Sequence, residues 1–297
     1  MQNQITTIDF NCDWYLKDYN LTPRSTPGDM TREDIISFLG TLEVDAVELM
    51  HDYWKDLPAA TVRGIAHDAG LSIHCYIFVL DLALPVAQRS QAMDQLKKIL
   101  DRVSELGAPT GMIIPGLVKE NHTLDEQRAW MIDGLRASAD LARTHKLTLL
   151  AENIDLAAIR PLMGHAADCR TLCEAVDSPA FRLIYDCGAT RIINEDPVDA
   201  LRTMAPYIGH VHLKNNRRLH PSDEVERSLE SDHGERFTGC NLDQGEVDLT
   251  AVINELSQLD YQGAIALEYQ GQEDPRKALP HNVSILRHLI SAHGESA

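Results

Sequence analysis

The chain has 297 residues, 44 % hydrophobic and 24 % charged, enough apolar material for one large domain or two small ones. Asp and Glu number 45 against 27 Lys and Arg, a net charge of −18 that repels nucleic acid and anionic lipid. No apolar run reaches the roughly 18 residues of a membrane span, and the opening MQNQITTIDF has no signal-peptide pattern, so cytoplasm is the expectation.

In chain order, short β-branched runs stand at 5–11, 45–50, 71–79, 110–115, 147–153, 182–187, 208–214 and 264–270. Amphipathic helical patterns alternate with them at 31–42, 58–69, 87–106, 124–145, 161–176, 197–206, 248–260 and 280–293. Thr31 with Asp34, Thr123 with Asp125 and Glu126, and Pro197 are start signals; Gly70, Gly107 and Gly263 separate helices from following strands. Strict strand–helix alternation demands parallel pairing, because each crossover returns the chain to the same sheet end. Eight such units predict a (β/α)8 TIM barrel, α/β in class and a single domain over 1–297. A doubly wound open sheet would offer a Gly-rich phosphate loop, and neither G-x-G-x-x-G nor G-x-x-x-x-G-K-[ST] occurs.

Six cysteines, Cys12, Cys75, Cys169, Cys173, Cys187 and Cys240, lie mostly in apolar runs. Cys169 and Cys173 share one helical face without a CxxC partner, which favours buried reduced thiols over zinc ligation. The polar stretch 215–247 is the one irregular segment. Following the seventh strand, it is expected to be a lid over the C-terminal end of the barrel.

The late strands end in ionisable residues after apolar runs: Glu152 after LTLLA, Asp186 after RLIY, His212 within HVHLK and Glu268 after AIAL. A carboxylate at a buried strand end loses hydration, so it must pair, bind a cation or change its protonation. Singly, each reads equally as a polar residue satisfied by hydrogen bonds. Together, on four successive strands, they form one candidate metal site in which a divalent ion offsets two of three negative charges. Oxygen-rich ligation with one nitrogen favours Mn2+, with Mg2+, Co2+ or Fe2+ as alternatives and Zn2+ admissible.

The segments AEN at 151–153, YDCG from Tyr185, HVHLKN from His210 and GEVDLTAVINELSQLDYQGAIALEY from Gly245 resemble those of the xylose-isomerase-like (β/α)8 proteins grouped as sugar phosphate isomerases/epimerases. The resemblance implies that Glu152, Asp186, His212 and Glu268 are the metal ligands. It also implies that Glu152 and Glu268 face each other across the substrate as catalytic acid and base. With a metal on the carbonyl and hydroxyl oxygens of an α-hydroxy-ketone, one glutamate would remove the adjacent C–H proton. Return of a proton by the other glutamate to the opposite face is epimerisation, return to the neighbouring carbon isomerisation, and loss of a β-hydroxyl after proton abstraction dehydration. Ketose 3-epimerases of the family carry a His three positions after the metal Asp and a Glu six after the first metal Glu. Ala189 and Ala158 stand there instead, and Asn215 replaces an Asp common after the strand-seven Lys.

Further substrate-binding candidates are Glu48, His74, Lys214, Arg217 and Arg218, the last three forming a basic cluster at the start of the lid. A capping or salt-bridge role for Glu48 and a core role for His74 compete with that reading. His210 reads as structural. Trp14 and Trp54 are candidates for an apolar wall or for loop packing. The expected function is a divalent-metal-dependent isomerase or epimerase of a small sugar, sugar phosphate or polyol. A dehydratase or lyase on a keto-sugar, keto-inositol or dehydroshikimate-like acid is the alternative. A more remote one is an apurinic-site endonuclease, superficially suggested by Asp232 and His233 but opposed by Ala189 and the net charge; a non-catalytic sugar-binding barrel is disfavoured by the two glutamates. The expected partner is a carbohydrate or polyol, with neither nucleic acid nor membrane, and association into a homo-oligomer stays open.

Overall fold

The computed structural model describes residues 3–8, 30–154, 157, 159–225 and 227–294. Strands β1 (Ile5–Ile8), β2 (Ala46–Met50), β3 (Ser72–Val79), β4 (Thr110–Ile114), β5 (Thr148–Glu152), β6 (Phe181–Asp186) and β7 (Ile208–Leu213) pair in parallel and in sequence. After three strands that lie outside the barrel, β11 (Ile265–Leu267) pairs with both β7 and β1, so the sheet is a closed eight-stranded barrel. Closure leaves no unpaired edge and aligns all eight C-terminal ends around one mouth.

Local chemistry sets the helix starts. Thr31 and Asp34 close a reciprocal capping box on Arg32–Gly40, and Thr123 and Glu126 do the same for Leu124–Thr144. Asp196 caps the helix that Pro197 opens. Gly107 ends the helix Ser90–Leu106 in the left-handed region, a conformation that costs glycine little. The helices cover the barrel with a continuous core that includes Leu96, Leu100, Met131 and Leu135, and a smaller cluster including Ile8, Ile77, Met112, Leu150 and Ile184 fills the barrel interior.

Three expectations need correction. The pattern over 161–176 is two helices, Arg160–Met163 and Ala166–Val176, because His165 between them is extended. The last helix begins at Pro275 and carries Pro280 in its interior, where the sequence reading placed its start. The stretch 215–247 is not structureless: β8 (Asn215–Arg218), β9 (Leu229–Glu230) and β10 (Arg236–Cys240) form an antiparallel sheet in the order β8-β10-β9. Phe237, 1 % exposed, and the buried Asn215 and Asn216 anchor it. The described cysteines are buried and free; Cys12 lies outside the described residues. No helix among the described residues is long and apolar enough to cross a membrane.

Candidate active site

Glu152 and Asp186 are the final residues of β5 and β6, His212 lies one residue before the end of β7, and Glu268 directly follows β11. One ligand atom from each lies within 4.8 Å of the others, and all four residues are buried. His212 Nδ1 is 2.8 Å from Glu152 Oε1 and 3.4 Å from Glu268 Oε2.

Each group is held from behind. Asn153 brackets the end of β6: its Oδ1 accepts from the Asp186 N–H at 2.7 Å, and its Nδ2 donates to the Asp186 carbonyl at 3.0 Å. Asp186 Oδ1 accepts from the backbone N–H groups of Gly188 (2.7 Å) and Ala189 (3.0 Å), capping the short helix Cys187–Ile192. Lys214 Nζ lies 2.6 Å from Asp186 Oδ2 and 3.4 Å from Glu268 Oε1. Gly188 makes this placement possible, since a Cβ there would collide with the Lys214 stem. Gln270 donates to Glu268 Oε1 at 2.6 Å.

Next to the quartet lies a second buried group, drawn from β1, β2 and β7. Glu48 on β2, 0 % exposed, accepts from Thr6 Oγ1 at 2.7 Å. Its carboxylate lies 2.7 Å from His210 Nε2 and 3.3 Å from His212 Nε2. The barrel interior thus orients His212 with Nε2 toward Glu48 and Nδ1 toward the quartet. A carboxylate on the far nitrogen is the usual arrangement behind a metal-ligating imidazole.

The electrostatics show a strong demand for positive charge. Burial by itself opposes charge on Glu48, but the imidazoles of His210 and His212 outweigh it and hold this carboxyl well below the usual range. Burial likewise opposes protonation of His212, yet Glu152 and Glu48 raise its pKa well above the ordinary value. At Glu268 burial is overcome by Lys214 and then His212, which hold it down to about 2. Glu268 Oε2 is buried and accepts no hydrogen bond among the described residues, although His212 Nδ1 faces it. Three carboxylates, one imidazole and this unsatisfied oxygen fit an oxygen-rich divalent-metal site.

A cavity of about 330 Å³ opens above the quartet and is lined by Glu152, His212, Lys214 and Glu268. The other expected contacts are placed differently. Glu48 is fully buried and does not line the cavity. His74 does not line the cavity; its ring centroid is 4.9 Å from that of His210, and burial, then His210, lower its pKa to about 4. Arg217 pairs with Asp223 at 3.2 Å. Arg218 pairs with Glu235 and, at 3.5 Å, Glu246, its guanidinium 5.4 Å from the Phe237 ring. Neither lines the cavity; both guanidinium groups are held by acidic residues of the segments flanking the strands, Asp223, Glu235 and Glu246. Arg227, between β8 and β9, lines it instead and was missed among the polar residues of the segment. Gln270 was also missed, although its position two residues after Glu268 was a usable signal. Trp54 is fully buried and Trp14 and Ala158 lie outside the described residues. Asp232 is tied to Arg160 at 2.7 Å, and His233 is exposed, so neither joins the quartet.

The family model described as "Xylose isomerase-like TIM barrel" matches residues 37–289. A 2-oxo-tetronate isomerase of Pectobacterium atrosepticum is 21 % identical over 251 residues, 73 % of this chain and 88 % of that protein. A D-allulose 3-epimerase from Methylomonas sp. superposes with a TM-score of 0.74 at 16 % identity, covering 97 % of this chain and 98 % of the other. A probable 3-DHS dehydratase from Bacillus anthracis superposes at 0.73 with 17 % identity, covering 96 % and 98 %.

Proposed function

Because the chain belongs to the xylose isomerase-like TIM barrel family, we propose that it is a divalent-metal-dependent isomerase or epimerase of a small carbohydrate or polyol bearing an α-hydroxy-carbonyl group. The observation that carries this reading is the buried quartet of Glu152, Asp186, His212 and Glu268, with ligand atoms within 4.8 Å. Those four residues would hold the ion, Mn2+ by preference. When bound, such an ion supplies a Lewis acid that polarises the carbonyl and accommodates negative charge developing on substrate oxygen.

The remaining chemistry belongs to side chains. Glu152 and Glu268 line the same cavity from β5 and the end of β11, so one, ionised, can take the C–H proton and the other, in its protonated form, can deliver a proton of its own. Asp186 is the least free to move, bound by two backbone N–H groups and Lys214, and acts as an anchor. Asn153 and Gln270 hold Asp186 and Glu268 in place. The sheet of β8, β10 and β9, which contributes Leu229, Thr238 and Gly239 to the cavity, excludes water from the carbanion-like intermediate.

Lys214 favours a second reading. Its ammonium lines the cavity beside Glu268 and is placed to give a proton to a departing β-hydroxyl, which would leave as water after a glutamate takes the C–H proton. The outcome would then be dehydration.

One experiment separates these readings. Protein stripped of metal and reloaded with Mn2+ is incubated in D2O with a panel of small ketoses and keto-polyols. Metal-dependent deuterium incorporation beside the carbonyl, with an epimer or isomer as product, is the expected result. Loss of water from the product selects the dehydratase. Absence of exchange across the panel with and without metal removes both.

A further inference from the structure

We infer that the substrate's end remote from the metal quartet is hydrocarbon, an unhydroxylated chain or ring edge, and not a run of sugar hydroxyls. The inference rests on the proposed metal-dependent reading and narrows its substrate class.

The mouth is divided. The strand ends on the β5, β6, β7 and β11 side carry the quartet. Among the described residues, the cavity lining contributed by β1 to β4 consists of Ile8, Met50, Ile77, Met112 and Ile114, with Tyr53 just past β2, and Ile154 continues it just past β5. Ile8, Ile77 and Met112 belong to the apolar cluster inside the barrel, and Met50 and Ile114 pack against it. This wall is therefore the exposed top of the core, continuous with its interior.

Backbone groups cannot make it polar. β1 to β4 are hydrogen-bonded to their neighbours in register, including Ile8 opposite Glu48, Met50 opposite Ile77 and Ile77 opposite Met112. The polar groups of the lining lie off this wall: Arg227 and Ser228 in the segment between β8 and β9, Thr238 and Gln270 on the side of β10 and β11, and Tyr53 just past β2. Gln270 is bonded to Glu268, and Thr238 donates to the Arg227 carbonyl while accepting from Gln272. A hydroxyl turned toward the wall's six apolar side chains would lose water without gaining a partner from them. A CH2 group there gains contact instead. In an apolar pocket one methylene changes affinity by roughly tenfold or more, and an added hydroxyl can cost about a hundredfold.

Hydroxamates, which chelate a divalent ion through two oxygens as an α-hydroxy-ketone would, provide the test. Calorimetric titration of the full-length Mn2+-loaded protein compares acetohydroxamate, hexanohydroxamate and the four-carbon polyhydroxy threonohydroxamate. Hexanohydroxamate is expected to bind at least about tenfold tighter than acetohydroxamate, with threonohydroxamate no tighter than acetohydroxamate. Ile114→Asn, at a half-buried position on the wall, should reduce the hexanohydroxamate-to-acetohydroxamate ratio several-fold. Equal binding of the alkyl and acetyl probes, or tighter binding of the polyhydroxy probe than the alkyl one, overturns the inference and leaves the metal reading intact. Failure of acetohydroxamate to bind removes the metal reading and the inference with it.

Discussion

Glu48 Oε2 lies 3.3 Å from Nε2 of His212, across the barrel interior, while the other nitrogen of the same ring faces Glu152 and Glu268. The two residues are 164 positions apart in the chain, and only closure of the barrel brings them together. One carboxylate at the centre of the fold thus sets the direction in which the imidazole presents its other nitrogen.

Glu48→Gln should therefore weaken Mn2+ binding about 10- to 100-fold, because an amide neither fixes the imidazole tautomer nor supplies its charge. Calorimetric titration of chelator-treated protein reads the change. Circular dichroism should retain the wild-type spectrum, and unchanged affinity in a folded variant would make Glu48 a packing residue only.

Glu152→Gln and Glu268→Gln should each reduce solvent deuterium exchange into substrate by about 10²-fold or more under saturating Mn2+. The comparison is made on variants whose metal content has been measured. A metal-loaded variant exchanging at the wild-type rate would show that its glutamate is not the acid or base.

The acid limb of stability should carry a signature of His74. Its pKa, lowered to about 4 by burial and then by His210, lies below that of the unfolded chain. Between about pH 6.5 and 4 the unfolded state binds this proton and the folded state does not, so stability falls as pH falls through that window. The contribution is about 3 kcal/mol at most. In urea titrations of metal-free protein, His74→Phe should flatten this part of the profile. A limb unchanged by the substitution would place its cause elsewhere.

Arg217 and Arg218, tied to Asp223 and to Glu235 and Glu246, should tolerate replacement by alanine with kcat/KM within about twofold, since exposed ion pairs contribute little. Arg227→Ala should raise KM several-fold because Arg227 lines the cavity. Steady-state kinetics on the substrate found by deuterium exchange check both; the reverse pattern would return substrate contact to the start of β8.

The barrel was legible because its eight buried strands each form a short apolar run, and helix starts at Thr31, Thr123 and Pro197 carry local signals. The placement of Glu152, Asp186, His212 and Glu268 at one end followed from the same periodicity. What depends on distant contact was not legible. The partnership of Glu48 with His210 and His212 links β2 to β7, and nothing local to AVELM or HVHLK announces it. The sheet of β8 to β10 is held largely by backbone pairing and buried asparagines, so its polar sequence reads as loop. Acidic residues between and beyond its strands, Asp223, Glu235 and Glu246, hold Arg217 and Arg218, while Arg227 lies at the cavity.

The central claim, one divalent ion held by Glu152, Asp186, His212 and Glu268, is tested most directly by metal titration. Chelator-treated wild-type protein, Asp186→Asn and His212→Ala are titrated with Mn2+ in the calorimeter, with folding checked in parallel. Wild type should bind one ion per chain, and each variant should lose at least about 100-fold in affinity, because a charged or imidazole ligand is removed from a buried, oxygen-rich set. Full stoichiometric binding at wild-type affinity in both folded variants would contradict it.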